Sequence, residues 1–522
     1  MLSASFASAQ NPTLLRQYNG GHAANFGYSV CGAGDLNQDG LDDILVGATR
    51  VSGDRGAVYA YSSADGSLLW SAIGESGYES FGWDVAAFGD VNGDGFPEVA
   101  ASAYGFDSPA NTRGRVYVLN GLDGSTLWQV QGDAAHWRFG KRLDAAGDYN
   151  NDGVPDLIVA SEAATIHGDY TGIVRVYSGA NGAVLLNAYG YKDWSNFGND
   201  VSAAGDVNFD GYDDIIVGSE SNDFFGDGRG TAYVFSGKDN SILELFVGTD
   251  DFDFHGSSVD AQGDCNGDGI SDYVVGSLYT SVLADDGGSV HVYSGADGSE
   301  LWRVDGYYFH NTFGRTVKFG GDQNGDGFDD VLVANYRGGY NGDINAPGRG
   351  WVYCYSGLDG SLLWLLDPAS TGDKFGLDIS QVGDTNGDGA DDFVVGAPAY
   401  GFYGSDYGYV SVYGATQTAQ ELWMLTPQPL VSGGKAIHWV NGAKYNSHVT
   451  LYAGTGRRPT FLSPGIRLDI MDPVPIAGGI SNANDTARIS TWVRPGLAGY
   501  RVWLQAASGG GKRSNVNFRV IQ

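Results

Sequence analysis

The chain has 522 residues, and its 62 acidic side chains outnumber its 29 basic ones, which leaves a formal net charge of −33. Charge of this sign repels phosphate, so the composition excludes nucleic acid as a partner. No stretch approaches the roughly 20 apolar residues of a transmembrane helix, so we expect no membrane-spanning segment. The three cysteines give no disulfide framework.

The first twelve residues are typical of the end of a secretory signal. Ala7, Ser8 and Ala9 form an AxA-type cleavage site before Gln10. We therefore interpret residues 1–12 as a residual signal and cleavage segment, and we expect a secreted or cell-surface-associated protein. The next segment, residues 13–18, is a predicted strand whose place in the fold depends on the repeats that follow it.

A nine-residue string, DxNxDGxx(D/E), then opens seven times, at Asp35, Asp90, Asp148, Asp206, Asp264, Asp322 and Asp384. Oxygen side chains at alternating positions, around a glycine that permits a tight turn, are the pattern by which a short loop wraps a hard cation. Calcium fits this pattern better than magnesium does, because magnesium keeps more of its water. We therefore predict up to seven structural Ca²⁺ sites.

The predicted metal ligands stand at positions one, three, five, seven and nine of each string. They are Asp35, Asn37, Asp39, Leu41 and Asp43; Asp90, Asn92, Asp94, Phe96 and Glu98; Asp148, Asn150, Asp152, Val154 and Asp156; Asp206, Asn208, Asp210, Tyr212 and Asp214; Asp264, Asn266, Asp268, Ile270 and Asp272; Asp322, Asn324, Asp326, Phe328 and Asp330; and Asp384, Asn386, Asp388, Ala390 and Asp392. Asp, Asn and Gly are also ordinary turn formers, but a turn needs no sevenfold repetition of acids. The strings are not EF-hands, because position twelve is never Glu; it is Val46 in the first copy and Val217 in the fourth.

Successive strings start 55 to 62 residues apart, a period typical of propellers and solenoids. In each repeat one strand leads into the loop, an apolar strand follows it, and two more strands flank a hairpin turn such as Asp65-Gly66. Four antiparallel strands repeated seven times predict an all-β, seven-bladed β-propeller over residues 13–415. Residues 13–18 align with the fourth strand of a repeat, so we expect this N-terminal strand to complete the seventh blade and close the ring.

Two short motifs carry a resemblance to a known family. A Phe-Gly pair begins the first strand at Phe26, Phe81, Phe139, Phe197, Phe313 and Phe375, and a Gly-Ala-Pro element is whole at residues 396–398. On these motifs, residues 13–414 resemble the FG-GAP repeats of the integrin α-subunit propeller and its secreted bacterial relatives. The fifth copy departs, with Phe254-His255-Gly256, and copies two, three and six lack the glycine of the GAP element. The resemblance implies that a ligand binds the face opposite the calcium loops.

The period stops after about residue 416. Short runs of alternating apolar and polar residues follow, such as residues 448–452 and 488–493, and Pro and Gly punctuate them. This pattern predicts a small, Ig-like C-terminal β-sandwich over residues 416–522.

The face opposite the loops is predicted to carry the connections between strands two and three and between blades. These connections are rich in aromatic residues, and about half of those are expected to pack between blades. They are Tyr104, Phe106, His136, Trp137, Tyr170, Trp194, Phe224, Phe225, Phe252, Tyr279, Tyr307, Tyr308, Tyr336, Tyr340, Phe402, Tyr403 and Tyr407. Exposed aromatic side chains are typical of protein and sugar recognition.

The sequence therefore predicts an extracellular binding or adhesion module for a protein or glycan ligand. A polysaccharide lyase or hydrolase is the alternative, with His136, His167, His310, Tyr307 and Tyr308 as candidate residues, although no HExxH or GxSxG motif supports an enzyme. A structural surface or matrix protein is a second alternative. We assign no catalytic residues and no cofactor besides Ca²⁺, and the oligomeric state stays open.

Overall fold

The computed structural model describes residues 11–22, 24–107, 111–222, 226–281, 286–306, 313–336, 350–368, 372–398 and 407–415, and the backbone of four strands within residues 444–517. Before residue 416, the described strands form seven antiparallel sheets of four strands each. The prediction of an all-β, seven-bladed propeller is confirmed. Among the described residues the one helical element is a single turn, Val51–Asp54, and no helix is long and apolar enough to cross a membrane.

Six blades are built from consecutive strands, numbered in chain order. Blade one contains β2 (Phe26–Gly34), β3 (Asp43–Ala48), β4 (Ala57–Tyr61) and β5 (Leu68–Ile73); blade two contains β6 (Phe81–Ala87), β7 (Val99–Ala103), β8 (Arg115–Leu119) and β9 (Thr126–Gln131). Blade three contains β10 (Arg142–Gly147), β11 (Asp156–Ser161), β12 (Ile173–Tyr177) and β13 (Val184–Tyr189); blade four contains β14 (Phe197–Gly205), β15 (Asp214–Ser219), β16 (Thr231–Phe235) and β17 (Ile242–Val247). Blade five contains β18 (His255–Gly263), β19 (Asp272–Ser277), β20 (Ser289–Tyr293) and β21 (Glu300–Asp305); blade six contains β22 (Thr316–Phe319), β23 (Val331–Asn335), β24 (Trp351–Tyr355) and β25 (Leu362–Leu366).

The seventh blade joins the two ends of the propeller. It contains β26 (Asp378–Gly383), β27 (Asp392–Ala397) and β28 (Tyr407–Gly414), and its fourth strand is β1 (Thr13–His22). β1 pairs antiparallel with β28, so that Thr13 lies opposite Gly414. The N-terminal strand therefore closes the ring, as its sequence predicted. It is the fourth strand of blade seven, and it pairs with the edge of β28 that would otherwise be open.

Burial follows the position of a strand in its blade. The second strand of each blade is an apolar run that is buried along its whole length, as in β3, where Ile44, Leu45 and Val46 are inaccessible to solvent. The fourth strand is only partly buried: in β5, Trp70 is buried, whereas Leu68 and Ile73 are exposed. The Trp70 Nε1–H donates to the Gly121 carbonyl of the next blade at 2.6 Å. Adjacent blades are thus joined by apolar packing and by hydrogen bonds from the outer strands.

The Phe-Gly pair holds each blade to the one before it. Phe81 forms a parallel bridge with Gly56, which precedes β4 of blade one, and its N–H donates to the Arg55 carbonyl at 2.8 Å. In blade five the same bridge runs from His255 to Gly230. His255, and not the neighbouring Phe254, therefore occupies the place of the aromatic residue, and the departure from the motif leaves the backbone unchanged.

The segment after residue 416 belongs to a second unit. Its described parts are four strands in two antiparallel pairs: β29 (Lys444–Gly454) with β30 (Thr486–Gly496), and β31 (Trp503–Ala507) with β32 (Arg513–Asn517). Most of the predicted sandwich over residues 416–522 lies outside the described residues, as does the segment 1–10 interpreted as a signal. Both stay predictions.

Candidate metal loops and the opposite face

In six of the DxNxDG strings, those that begin at Asp35, Asp90, Asp148, Asp206, Asp264 and Asp384, backbone N–H groups donate to the first carboxylate of the loop. In loop one, Asp35 accepts hydrogen bonds from the N–H groups of Asp39 (3.0 Å) and Gly40 (2.8 Å). Asn37 Oδ1 also accepts from Asp39, and Asp39 Oδ1 accepts from Leu41. Gly40 has a φ of 89°, which glycine adopts without strain. The loop sequence therefore fixes a tight turn with its side-chain oxygens on the inside.

The same turn recurs around the ring. The position-six glycine donates to the position-one carboxylate in five further loops: Gly95 to Asp90, Gly153 to Asp148, Gly211 to Asp206, Gly269 to Asp264, and Gly389 to Asp384. The position-seven residues donate their N–H groups to the position-five carboxylates: Leu41, Phe96, Val154, Tyr212, Ile270, Phe328 and Ala390. The same hydrogen bonds thus recur at the predicted ligand positions from loop to loop.

The position-nine acids are the buried part of every loop. All seven are inaccessible to solvent: Asp43, Glu98, Asp156, Asp214, Asp272, Asp330 and Asp392. Asp43 accepts from the Leu36 N–H at 3.0 Å and from the Ser63 N–H at 3.1 Å, and so ties the loop to the hairpin turn between strands three and four. Burial raises the pKa of Asp43 to about 7. It raises the pKa to about 7 in four more loops, at Asp156, Asp214, Asp272 and Asp392.

The donor set fits a hard divalent cation. In loop two, carboxylate oxygens of Asp90, Asp94 and Glu98 lie within 4.8 Å of one another, a group that could hold a metal ion. In loop three, Asn150 Oδ1 and Asp156 Oδ2 are buried without a hydrogen-bond partner. Buried acceptors without donors are costly unless a cation neutralises them. Within the described part of the chain, loop two is where carboxylate oxygens of three acids converge in this way.

Position eight, which sequence reasoning passed over, links neighbouring loops. Asp213 Oδ2 accepts from the Asp148 N–H of the preceding loop at 2.7 Å. Asp329 Oδ2 does the same for Asp264 at 2.8 Å. Asp42 Oδ2 likewise accepts from the Asp384 N–H of the seventh loop, across the ring closure. The signal in the sequence was an acid directly before position nine, which is present only in some copies.

The described connections from strand two to strand three and from blade to blade are joined by hydrogen bonds, away from the loops. Trp194, which precedes blade four, donates its N–H to the Asp169 carbonyl at 2.7 Å, and Asn196 donates to the Tyr170 carbonyl at 3.2 Å. Asp169 and Tyr170 belong to the connection between β11 and β12 of blade three. We call the loops with their hairpin turns the loop face, and these paired connections the opposite face.

A cavity of about 480 Å³ is lined by the first strands of the blades. Asp84 Oδ2 accepts from the Leu143 N–H at 2.8 Å, and Asp378 Oδ2 accepts from the Val30 N–H at 2.8 Å, so each of these carboxylates bridges two blades. Burial raises the pKa of Asp84 to about 7, with Arg142 opposing the shift.

Further along the cavity, Lys318 pairs with Asp260 at 2.9 Å. Among the described lining residues there is no histidine, and burial raises the pKa of the Cys31 thiol. The lining therefore offers charged and polar contacts but no activated nucleophile.

The predicted aromatic residues divide by exposure. His136, Trp194, Phe252 and Tyr407 are exposed; Tyr104, Phe106, Tyr170 and Tyr279 are half-buried; Trp137 and Tyr336 are buried. Phe224, Phe225, Tyr307, Tyr308, Tyr340, Phe402 and Tyr403 lie outside the described residues. One exposed aromatic residue that sequence reasoning missed is Tyr78, although it occupies the same place before blade two that Trp194 occupies before blade four.

Of the histidines proposed for an enzyme, the structure describes His136 and His167, and it does not bring these two together. His136 and His167 are exposed in different connections, and no hydrogen bond or ring contact of the described residues joins them; His310 lies outside those residues. A Ser–His–Glu string does exist in blade five, where His291 contacts Ser289 Oγ at 3.0 Å and Glu300 Oε1 at 2.9 Å. Ser289 is inaccessible to solvent, so this string is a buried polar network and not a nucleophile that substrate could reach.

Known proteins support the assignment of the repeats. Residues 35–101 match the family described as FG-GAP-like repeat, and residues 139–177 and 197–235 match the FG-GAP repeat family. The chain is 30% identical over 210 residues to integrin alpha-V of Gallus gallus, covering 37% of this chain and 20% of the relative. It is 33% identical over 188 residues to integrin alpha-5 of Xenopus laevis (32% and 17%) and 34% identical over 156 residues to integrin alpha-7 of Homo sapiens (27% and 12%).

The matched part of the chain spans a fifth or less of the length of these curated relatives. The stretches that match the repeat families contain the Phe-Gly pairs Phe81-Gly82, Phe139-Gly140 and Phe197-Gly198, and the acidic loops of blades one to four. The β-propeller therefore contains FG-GAP repeats in blades one to four, and the chain is similar to integrin α chains.

Proposed function

We propose that the chain is a secreted or cell-surface module, stabilised by calcium, that binds an extracellular protein or glycan through the face opposite its metal loops. The observation that carries this proposal is the division of the propeller into two unlike faces. One face holds seven near-identical acidic loops, and the other holds connections that differ between blades and expose large aromatic rings. Repetition suits a structural role, whereas variation suits recognition of a particular partner.

Calcium is proposed for the loops because of their donor chemistry. Each loop gathers carboxylate and amide oxygens around a glycine turn, and hard cations prefer such ligands. The position-nine carboxylate is buried in all seven loops, so a bound cation would offset the repulsion and desolvation of these acids. Seven equivalent sites are unlike the one open coordination position of a catalytic metal, so we assign the ions a structural role.

Three arguments support an extracellular location. The relatives named above are integrin α chains, and loops of moderate calcium affinity fill most readily where the ion is millimolar. The AxA-type segment at residues 7–9 agrees with export.

The test is a combined binding and product assay. The protein, with millimolar calcium, is screened against arrays of glycans and immobilised extracellular matrix proteins, and every bound polysaccharide is then analysed for new reducing or unsaturated ends. We expect binding without product, and we expect chelation with EDTA to lower the melting temperature and weaken binding together. Release of sugar ends would identify the lyase or hydrolase instead. An unchanged melting curve in excess EDTA would overturn the structural role of calcium.

A further inference from the structure

One position on the opposite face combines strain with exposure. Three residues before the Phe-Gly pair, or its His-Gly equivalent in blade five, the chain has Tyr78, His136, Trp194 and Phe252, each 58 residues after the last. All four have a positive φ, between 63° and 67°. A bulky side chain rarely adopts this conformation, and glycine adopts it freely. Blade seven has Gly372 at the equivalent place, with a φ of 91°. We call the four residues the aromatic row.

Packing does not account for the aromatic row. Tyr78, Trp194 and Phe252 are 61%, 57% and 58% exposed, and His136 is also exposed. The residue that follows each of them is buried: Glu79, Trp137, Ser195 and Asp253. The turn thus directs the large ring toward water and the following side chain toward the protein. A strained backbone that displays a ring without burying it indicates a role in binding.

The turns that carry the row are fixed by hydrogen bonds. The N–H of Trp194 donates to the Asp169 carbonyl at 2.7 Å, and the N–H of Phe252 donates to the Asp227 carbonyl at 2.7 Å. His136 makes the same bond to the Asn111 carbonyl. The Trp194 ring also stacks on Tyr170, with centroids 4.7 Å apart and an interplanar angle of 15°. The rings are therefore presented by a backbone that is ordered before any ligand arrives, which reduces the entropy lost on binding.

Several carboxylates beside the row are paired with arginines. Three of its four connections carry an exposed carboxylate that pairs with an arginine. Glu75 pairs with Arg115 and Asp133 with Arg175, both in the following blade, and Asp251 pairs with Arg229 of the preceding blade. These carboxylates keep lone pairs that can accept hydrogen bonds from hydroxyl groups. Their charge is balanced by the arginines, so a cationic ligand gains little, and the net charge of −33 disfavours a polyanion.

We propose that the aromatic row binds an uncharged polysaccharide, whose sugar rings stack on the exposed aromatic faces while its hydroxyl groups hydrogen-bond to the neighbouring carboxylates. This inference rests on the proposed function and narrows its ligand from a protein or glycan to a neutral glycan chain. Four rings on successive blades favour a polymer over a single sugar, because each further contact forms at a high effective concentration.

The chain supplies a matched pair of variants. Trp194→Gly and Phe252→Gly remove exposed rings and leave the residue that suits a positive φ, as Gly372 does in blade seven. The control is Phe209→Gly, since Phe209 is 71% exposed, has a φ of 59°, and lies in loop four on the loop face. Glycine already occupies the equivalent place in loops two and five, at Gly93 and Gly267. All three variants should therefore fold as well as the parent chain.

The test is affinity gel electrophoresis of the full chain, with calcium, in gels that contain hydroxyethylcellulose, glucomannan, xyloglucan or a soluble β-1,3-glucan. We expect retardation by at least one of them, about tenfold weaker binding for the Trp194→Gly/Phe252→Gly double variant, and unchanged binding for Phe209→Gly. Binding should change little with added salt, because it uses stacking and neutral hydrogen bonds.

Three results would overturn the proposal. If a polysaccharide binds the double variant as tightly as the parent chain, the row is not the site, although a binding module remains. If none of the four polysaccharides retards the protein while a matrix protein binds it on the array, the ligand is not a polysaccharide. The broader function as a binding module then stands. If only charged polysaccharides bind, on the glycan array, and added salt abolishes that binding, an uncharged polysaccharide is excluded as the ligand.

Discussion

At the scale of single residues, the position-nine acid controls each loop. Its carboxylate is buried, its pKa is raised to about 7 in five loops, and desolvation is the largest cause in each case. A carboxyl group of this kind takes up a proton unless a cation is present, so protons and calcium compete for the same oxygens. The spacing of acids predicted these ligands. It could not predict which of them is buried, because burial depends on the hairpin turn that covers the loop.

The first prediction is that the stability of the fold changes with pH in opposite directions in the presence and in the absence of calcium. The folded-state pKa of these acids lies above the ordinary value of 3.8, so the folded form binds protons more tightly than the unfolded form. In EDTA the stability that these acids contribute should therefore be greatest below the ordinary pKa of 3.8 and fall as the pH rises from there to about 7. With calcium the affinity, and the stabilisation, should rise over the same range. Thermal unfolding followed by circular dichroism, with calorimetric titration of calcium, measures both.

Asp156→Asn isolates one loop in that experiment. The amide keeps the acceptor for the Gly179 N–H, and removes one buried charge. We expect a higher melting temperature than the parent chain in EDTA and a calcium increment smaller by about 1.4 kcal/mol at tenfold the dissociation constant. Asp359→Asn, an exposed turn residue, is the control and should change neither. Calcium affinity that is equal in mild acid and at pH about 8 would contradict the competition.

At the scale of elements, the contact between blades was harder to predict from the sequence than the strands within a blade. Apolar runs and Asp-Gly turns predicted the four strands, because each strand is specified by its own residues. The glycine before each third strand was not recognised in the sequence, because its partner is a Phe-Gly pair some 25 residues away. A Cβ on Gly172 would stand 2.0 Å from the Phe197 carbonyl oxygen of the next blade. Blade five shows the same point. Its sequence departs from the Phe-Gly motif at His255, but His255 still forms the bridge to the preceding blade.

The second prediction separates this joint from ordinary glycine strain. Gly172 and Gly182 both lie in blade three with a positive φ, 84° and 69°, but nothing lies within 4 Å of a Cβ on Gly182. Gly182→Ala should lower the free energy of unfolding by about 1 kcal/mol, the strain alone. Gly172→Ala should lower it by more than about 2 kcal/mol, because a backbone atom of the next blade must move. Urea unfolding measures both, and equal losses would show that the joint tolerates a side chain.

At the scale of the whole molecule, the ring depends on a strand from the far end of the propeller sequence. The partial repeat at residues 13–18 was enough to predict β1, and the structure confirms its pairing with β28. The cavity charges were beyond prediction, because Asp84, Arg142 and Asp378 come from three blades and meet only when the ring is closed. The Val30 N–H of blade one donates to Asp378 of blade seven, so a hydrogen bond in the cavity also joins the first blade to the last.

The third prediction concerns that strand. Removal of residues 1–22 deletes β1, exposes the edge of β28 and should produce a chain that aggregates or melts at a lower temperature, since an unpaired edge invites pairing with another chain. Removal of residues 1–10 leaves β1 in place and is the control. Size-exclusion chromatography and thermal unfolding compare the two. A monomer that melts like the parent chain after loss of β1 would show that three strands suffice in blade seven.

The antiparallel seam has a mechanical consequence. Thr13 lies opposite Gly414 and His22 opposite Tyr407, so the chain enters and leaves the seam at the same end. Tension applied between residues 13 and 414 would peel β1 from β28 one hydrogen bond after another, whereas a shearing load would have to break them together. The seam is therefore the weakest point under stretching between these residues, while blades two to five, which carry the aromatic row, lie outside the path of the force.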